Sequence, residues 1–367
     1  MFDLTGCVSE VDAVHKRAVG SVTVGLVRMA AAGRPTRWIL GLVVLAGSLA
    51  GCAFGSSSIV RRSSGTNMEI SALRIEPTTT ETMAPTATPL PPTATAAPPT
   101  PTPTLAPDFW QDLPIVPTVS DTAREIYARG IALGNDPHAF SVIGDCEGTP
   151  NRFLGPFEYS PSYYRLGMYT YLNAAIDHFA GSFGRISLAA NSGFTTSMVL
   201  SQFWANPNYC LAGETPLTCE LRVHRPSIAF VMVGTMDYVQ PQTFEEHMRQ
   251  ILESLIENGT VPILYTKASN LEGDWSINAT TARLAVEYGL PLWNFWRAVQ
   301  PLPGHGLRAD GMHITWGYNF FDDPVAMNNG WPWRNLTALQ ALEAVWGAVA
   351  GPSSGDASLS RAPVDGG

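Results

Sequence analysis

The feature that most constrains the fold is an alternation of apolar, strand-like runs with helical segments between residues 108 and 350. The run 228–233 is apolar at every position, as expected for a parallel strand that is buried on both faces of a sheet. The segment 243–256 has apolar residues at spacings of three and four and is followed by Gly259, which is typical of an amphipathic helix. The alternation predicts an α/β fold, a three-layer α/β/α sandwich in which a parallel sheet lies between two layers of helices.

The same pattern extends over the rest of this region. Further strands are predicted at 139–143, 185–190, 261–265 and 291–294. Further helices are predicted at 121–133, 163–180, 195–204, 278–288 and 336–349. Because ligands of parallel α/β sheets bind beyond the carboxyl ends of the strands, the segments that directly follow the predicted strands are the first candidates for a site.

The N-terminal part of the chain has the features of a targeting segment. Arg34 and Arg37 precede the apolar run 38–50, which at about 13 residues is short for a membrane span but suits a signal peptide. The run leads into Leu49–Cys52, a quartet that resembles the lipobox of bacterial lipoproteins and predicts lipidation of Cys52. An ordinary cleaved signal or a short anchor is the alternative interpretation.

Composition divides the chain into four parts. Between residues 77 and 107, ten Pro and eleven Thr occur among 31 positions, so this stretch is expected to be an extended spacer without a core. Residues 1–28 are unusual for a signal, and Met29 is a candidate for the true start. The predicted parts are a targeting segment at 1–51, a Pro/Thr-rich linker at 52–107, one domain at 108–350 and a flexible tail at 351–367.

The cysteines and charges restrict the function further. Cys210 and Cys219 flank a turn-rich loop, and an exported protein meets an oxidising environment, so a disulfide between them is predicted. Cys146 is then the remaining thiol of the domain, which suggests that it is either buried or used. The net charge of -9 argues against a nucleic-acid partner. No Cys/His spacing resembles a zinc site, so no metal is expected.

Polar segments follow three of the predicted strands. They are Asp145-Cys146, Asn191-Ser192-Gly193 and Gly234-Thr235-Met236-Asp237. A fourth segment, Asp310–His313, lies after the last predicted strand and before the closing helix. We expect all four at one edge of the sheet. A nucleophile just past a strand, together with an Asp-x-x-His motif, has the composition of a hydrolytic triad.

The order of these segments resembles the blocks of the SGNH (or GDSL) hydrolase superfamily over roughly residues 136–350. Gly144-Asp145-Cys146 stands where the family has Gly-Asp-Ser, Gly193 where it has its second-block glycine, and Asp310–His313 where it has Asp-x-x-His. Gly234–Asp237 stands where the family has Gly-x-Asn-Asp. The resemblance implies a flavodoxin-like α/β/α fold and an ester hydrolase that needs no cofactor.

By this resemblance Cys146 is the nucleophile, His313 the base and Asp310 the group that orients the base, while the N–H groups of Cys146 and Gly193 form the oxyanion hole. Met236 departs from the family, since its thioether cannot donate a hydrogen bond as the family's asparagine does. Asn191, Ser192 and Thr235 are the candidates to compensate. Asp145 is expected to hold its turn and Asp237 to cap the next segment.

The resulting hypothesis is an exported, lipid-anchored SGNH-type ester hydrolase or acyltransferase at the bacterial cell membrane or envelope. Its expected partners are an acylated small molecule or a polysaccharide, and the membrane through the lipid anchor; a monomer is expected. The aromatic residues around the motifs, among them Trp316 close to His313, are suited to sugar rings. The first alternative is a non-catalytic SGNH-like protein that binds glycan, and the second makes Cys146 a redox or conjugation site.

Overall fold

The computed structural model describes residues 105–351. The predictions for the targeting segment, for lipidation of Cys52, for nearly all of the linker and for the tail therefore lie outside the described residues. Within 105–351, no helix is both long enough and apolar enough to cross a membrane.

The centre of the domain is a parallel sheet. In chain order the strands are β1 (Asp136–Gly144), β2 (Tyr164–Arg165), β3 (Pro226–Met232), β4 (Val261–Tyr265), β5 (Leu292–Trp293) and β6 (Asn319–Phe320). Four of them form one sheet in the order β1-β3-β4-β5, and every neighbouring pair is parallel. Strands β2 and β6 pair separately, also in parallel. The predicted α/β class and the parallel sheet are thus confirmed.

The helices form two groups that pack against this sheet. They are α1 (Asp121–Leu133), α2 (Pro156–Tyr159), α3 (Asn173–His178), α4 (Thr196–Val199), α5 (Pro216–His224), α6 (Phe244–Glu257), α7 (Ser276–Tyr288), α8 (Phe295–Val299) and α9 (Gly330–Ala350). Helix α9 contacts α1, α3 and α8, whereas α6 contacts α4, α5 and α7. In the first group α1 and α9 contact the sheet, and in the second α5, α6 and α7 do so.

Aromatic packing on the sheet anchors the loop that follows β1. The Phe230 ring lies edge-on to Phe140, Phe153 and Trp293, at centroid distances of 5.9, 5.2 and 5.9 Å. All four side chains are almost completely buried. Phe153 belongs to the loop after β1, so burial of its ring holds that loop against the sheet.

The predicted strand 185–190 is wrong, because the structure has only a single parallel bridge there, between Gly144 and Ala190. The reason is competition from side chains. The Leu188 N–H donates to the buried carboxylate of Glu220 at 2.8 Å instead of to a strand. The bridge nevertheless lies at the end of β1, so the segment still reaches the edge of the sheet where a site was expected.

Two of the predicted helices are broken. The segment 163–180 contains β2, a 3₁₀ segment at Gly167–Leu172 and then α3, with a non-helical backbone at Tyr169 (φ -92°, ψ 29°). The segment 195–204 contains α4 and a separate 3₁₀ turn at Gln202–Trp204. The local sequence of both segments favours a helix, but tertiary packing overrides this propensity.

Candidate active site

Cys146 begins a tight turn directly after β1. The turn is a 3₁₀ segment at Cys146–Gly148, and the Cys146 side chain is partly buried. Asp145 caps it, since its Oδ1 accepts from the Glu147 N–H at 2.9 Å and its carbonyl accepts from the Gly148 N–H at 3.1 Å. Asp145 is only 1% exposed, so its carboxylate lies in the interior immediately below the turn. The cap fixes the position of Cys146 relative to the strand.

The second segment is bonded to the end of the same strand. The Asn191 N–H donates to the Gly144 carbonyl at 3.1 Å, and the Gly144 N–H donates to Ala189 at 3.1 Å. Asn191 Oδ1 accepts from the Ser192 N–H at 2.8 Å. Gly193 has a φ of 82°, a left-handed conformation in which a side chain would be strained. The first two predicted segments therefore meet at the carboxyl end of β1.

A cavity of ≈ 360 Å³ opens beside Cys146. Asn191 and Ser192 line it on one side, and apolar side chains that include Phe194 and Trp204 form another part of its wall. Gly193, Asp310 and His313 are not among the residues of the described chain that line this cavity. The cavity is thus lined both by Cys146 and by the half-exposed indole ring of Trp204.

Asp310 and His313 form a hydrogen-bonded pair. Asp310 Oδ2 lies 2.8 Å from His313 Nδ1, and Asp310 Oδ1 accepts from the Met312 and His313 N–H groups at 2.9 Å each. Burial raises the pKa of the Asp310 carboxyl, but the hydrogen bonds from His313 and Met312 outweigh this effect, so the pKa lies below its usual value. A carboxylate on Nδ1 leaves Nε2 as the basic nitrogen, which is the arrangement of a general base.

The loop that carries this pair is attached to helix α9. Leu307 and Ile314 form an antiparallel bridge, which closes the loop around Asp310 and His313. Thr315 then bonds to the first turn of α9: its Oγ1 accepts from the Gly330 N–H at 2.8 Å, and its carbonyl accepts from the Trp331 N–H at 2.9 Å. These contacts satisfy N–H groups that a helix start leaves without intrahelical partners.

One turn further along, α9 also holds the Cys146 turn. Arg334 is completely buried and forms an ion pair with Glu147, the residue after Cys146. Arg334 Nη2 donates to the Arg152 carbonyl at 2.6 Å. Sequence reasoning missed both Glu147 and Arg334. The available signal was a single charged residue in the apolar sequence that begins the closing helix.

In the third segment, Gly234–Asp237, the aspartate has a structural role. Asp237 is 4% exposed, and its Oδ1 accepts from the Thr196 N–H at 3.0 Å and from Thr196 Oγ1 at 2.6 Å. These bonds tie the start of α4 to the 3₁₀ turn Met236–Val239. Burial raises the pKa of Asp237 above its usual value, although the bonds from Thr196 act in the opposite direction. Thr235 is buried at the start of this turn, and Met236 is partly buried.

The disulfide prediction is confirmed, since Cys210 and Cys219 are bonded, with their Cα atoms 5.2 Å apart. Glu214 lies close to both sulfurs, so these three residues have the composition of a small metal site. The two sulfurs are bonded to each other, however, and Glu214 is ion-paired with Arg222 at 2.5 Å. The ligand atoms of this cluster are therefore already engaged.

No protein-family model and no curated protein matches the sequence. Among solved structures, the chain is similar to a GDSL-like lipase from Bacteroides thetaiotaomicron, with 14% identity and a TM-score of 0.34 over 61% of this chain and 98% of the lipase. It is also similar to TesA, with 17% identity and a TM-score of 0.33 over 57% of this chain and 96% of TesA. A G-D-S-L family protein from Desulfitobacterium hafniense has 13% identity and a TM-score of 0.32 over 56% of this chain and 99% of its own length. These scores are too low to carry a functional argument, so the chemistry must be inferred from the residues of this chain.

Proposed function

We propose that the domain is an SGNH-type ester hydrolase or acyltransferase that uses Cys146, His313 and Asp310 as its triad. The observation that carries the proposal is the 2.8 Å contact between Asp310 Oδ2 and His313 Nδ1. A histidine oriented by a carboxylate supports this role, and so does the attachment of its loop to the helix that also binds the residue after Cys146.

The reaction would proceed in two steps. His313 Nε2 accepts the proton of the Cys146 thiol, the thiolate Sγ attacks the acyl carbonyl, and His313 then gives the proton to the departing alcohol as the carbon–oxygen bond breaks. The resulting thioester is attacked by water, or by a second hydroxyl group in a transferase, and His313 accepts the proton of the attacking group. The carbon–sulfur bond then breaks, so that Cys146 leaves as a thiolate and the acyl group departs as an acid or as a new ester. The N–H groups of Cys146 and Gly193 stabilise the negative oxygen in both steps.

Met236 cannot supply the third donor to the oxyanion, and Asn191 is the residue best suited to replace it. Asn191 lines the cavity beside Cys146. Its Oδ1 accepts a hydrogen bond from the Ser192 N–H, so its amide N–H₂ does not face that backbone group. Thr235, at the start of the neighbouring turn, is the other candidate. One donor of this kind is typically worth about 10²–10³ in rate, so Asn191→Ala is the informative variant.

The proposed cellular setting is the outside of the membrane. Lipidation of Cys52 would anchor the chain, and the Pro/Thr-rich linker that ends at residue 107 would hold the domain away from the lipid surface. The proposed substrates are O-acyl esters of small molecules or polysaccharides. Trp204 supports the second class, because an indole face in the cavity wall suits stacking against a sugar ring.

The test is hydrolysis of an activated acetyl ester by the full chain and by Cys146→Ala, Cys146→Ser and His313→Ala. His305→Ala is the control, because His305 is an exposed histidine of the neighbouring turn whose Nδ1 contacts the Gln300 carbonyl. We expect turnover by the parent and by the control, and loss of turnover in both alanine variants at the triad. Equal activity of parent and Cys146→Ala would reject the thiol mechanism.

A non-catalytic glycan-binding protein is the second candidate. The substitution at Met236 favours it, because this position lacks the donor that the family uses, and so do the exposed rings of Phe203 and Trp204. In that case neither the parent nor Cys146→Ser would hydrolyse the ester, while Trp204→Ala would weaken binding to an acetylated polysaccharide. If Cys146→Ser gained activity, the scaffold would be competent and only the nucleophile would have changed.

A further inference from the structure

We propose that Arg334 is a positioning residue that keeps Cys146 in its thiolate form by neutralising the carboxylates on either side of it. This inference rests on the proposed function, because it concerns the state of the proposed nucleophile. Arg334 lies on helix α9, far from Cys146 in sequence, and it corresponds to none of the motifs by which the site was found.

The Arg334 guanidinium binds both ends of the loop that carries Cys146. Nη1 is ion-paired with Glu147, which follows the cysteine directly, and Nη2 donates to the Arg152 carbonyl at 2.6 Å. The next residue of the helix adds a third contact, since Asn335 Oδ1 accepts from the Leu154 N–H at 3.1 Å. One face of α9 therefore fixes the loop from the residue after the nucleophile to Leu154.

The burial of Arg334 imposes a desolvation cost on its charge. The side chain is 0% exposed, and the guanidinium carbon lies 5.9 Å from the Phe153 ring centroid and 5.7 Å from that of Trp331. The cation–π contacts and the ion pair offset part of the desolvation cost, but apolar residues of similar volume often stabilise such a position equally well. A buried pair of this kind beside a proposed nucleophile can act on that nucleophile in addition to fixing the loop.

The charges around the thiol determine the sign of that effect. Asp145 and Glu147 are acidic neighbours within the Cys146 turn, and each of their charges disfavours a thiolate. Arg334 faces the turn from α9. Beyond Asp145, Lys267 after β4 is paired with Glu272 at 2.5 Å, and the buried Tyr265 hydroxyl has its pKa raised by burial and by Asp145. Arg152, further along the same loop, lines the cavity together with Cys146 and is a second cation on this side of the thiol. Arg334 is the cation that is paired with the carboxylate next to the thiol.

The pKa of Arg334 also reflects this interaction. Burial is the largest influence on the Arg334 guanidinium and lowers its pKa to about 10, while the negative charges of Asp145 and Cys146 act in the opposite direction. Arg334 therefore remains protonated at neutral pH. Because the interaction of two charges is mutual, the cation that is favoured by a Cys146 thiolate also lowers the pKa of that thiol.

The test measures the rate at which iodoacetamide alkylates Cys146 as a function of pH, in the full chain, with the Cys146 peptide followed by mass spectrometry. We compare the parent with Arg334→Gln and Glu147→Gln. Arg334→Gln should move the midpoint of the pH profile upward and slow alkylation at pH 7 by about tenfold or more, because only the thiolate reacts. Glu147→Gln should move the midpoint downward and accelerate alkylation, since it removes a neighbouring negative charge.

Arg185→Gln is the matched control, because it removes the guanidinium from another ion pair with a fully buried carboxylate, that with Glu220. It should leave the Cys146 midpoint unchanged. Shifts of the two test variants in the same direction, or no shift in either, would overturn the proposal. If Arg334→Gln does not fold, Glu147→Gln can still reject the proposal, because an unchanged or upward midpoint would mean that the charges of this turn do not act on the thiol.

Alkylation does not require turnover of an ester, so the two proposals can fail separately. A parent protein with a reactive thiolate that responds to Arg334→Gln but hydrolyses no ester would reject the proposed function alone. A parent protein that hydrolyses esters through Cys146, with a midpoint that neither variant moves, would reject the role of Arg334 alone.

Discussion

Replacing Asp310 by asparagine removes the charge that faces His313 while it preserves the shape of the loop. Asp310 Oδ1 accepts from the Met312 and His313 N–H groups, and the oxygen of an asparagine can accept from the same two donors. The atom that changes is Oδ2, which contacts His313 Nδ1 at 2.8 Å. In the variant an amide N–H₂ faces that nitrogen, so Nδ1 becomes the acceptor and the proton moves to Nε2.

The size of the effect follows from this change of tautomer and from the exposure of the pair. An imidazole protonated at Nε2 cannot accept the proton of Cys146, and in buried triads the corresponding substitution costs about 10⁴ in kcat. The Asp310 side chain is 47% exposed, so water screens its charge and can support the other tautomer. We therefore expect a smaller loss for Asp310→Asn, about 10²–10³ in kcat, or roughly 3–4 kcal/mol in activation free energy.

The assay is the pH dependence of kcat and KM for an activated acetyl ester, measured for the parent, Asp310→Asn and Asp310→Ala. KM should change little for Asp310→Asn, because the substituted atom contacts the base and not the substrate. Thermal unfolding of the same samples controls for damage to the loop. If Asp310→Asn retained more than about a third of the parent kcat while its melting temperature was unchanged, orientation of His313 by Asp310 would not contribute to catalysis.

Three further predictions concern stability. Burial raises the folded-state pKa of Asp237, so ionisation of this carboxyl opposes folding. In urea unfolding, the parent should therefore lose stability as the pH rises through this pKa, and Asp237→Asn should not show that loss. Phe230→Ala should cost about 3–5 kcal/mol in urea unfolding, because a completely buried ring in contact with three others is lost; a cost below that of an exposed substitution would contradict the core described for β3. Replacing Cys210 and Cys219 by serine should lower stability by about 2.5 kcal/mol without changing ester hydrolysis, which paired unfolding and activity assays would check.

The bounds of an element were predicted correctly where the local sequence marks both its start and its end. Helix α1 has the bounds 121–133 that the sequence predicts, because Ser120 Oγ caps its first turn at 3.1 Å and Gly134 ends it in a left-handed conformation. Strand β4 also has the predicted bounds, 261–265, since this buried strand has an apolar residue at every position. The strand predicted at 185–190 fails because its backbone bonds to the Glu220 carboxylate, a contact over 32 residues that no local pattern reveals.

The same distinction applies to the candidate site. Cys146, Asp310 and His313 were identified because their motifs are short and each follows a recognisable strand or precedes the closing helix. The Asp310–His313 contact is local, at a separation of three residues, so the spacing itself indicates it. Arg334 and Glu147 are 187 residues apart, and only the folded chain brings them together.

Helix α9 connects the two halves of the proposed triad. Its first turn binds Thr315, at the end of the loop that carries His313, and its second turn binds Glu147, beside Cys146. The contact of the first turn is close, since a Cβ added at Gly330 would lie 2.5 Å from the Gly306 carbonyl oxygen. A glycine is therefore required where the helix and the loop meet. Any shift of α9 along its axis would displace the base loop and the nucleophile turn together, so their relative position depends on the rigidity of a single helix and not on the separate conformations of two loops.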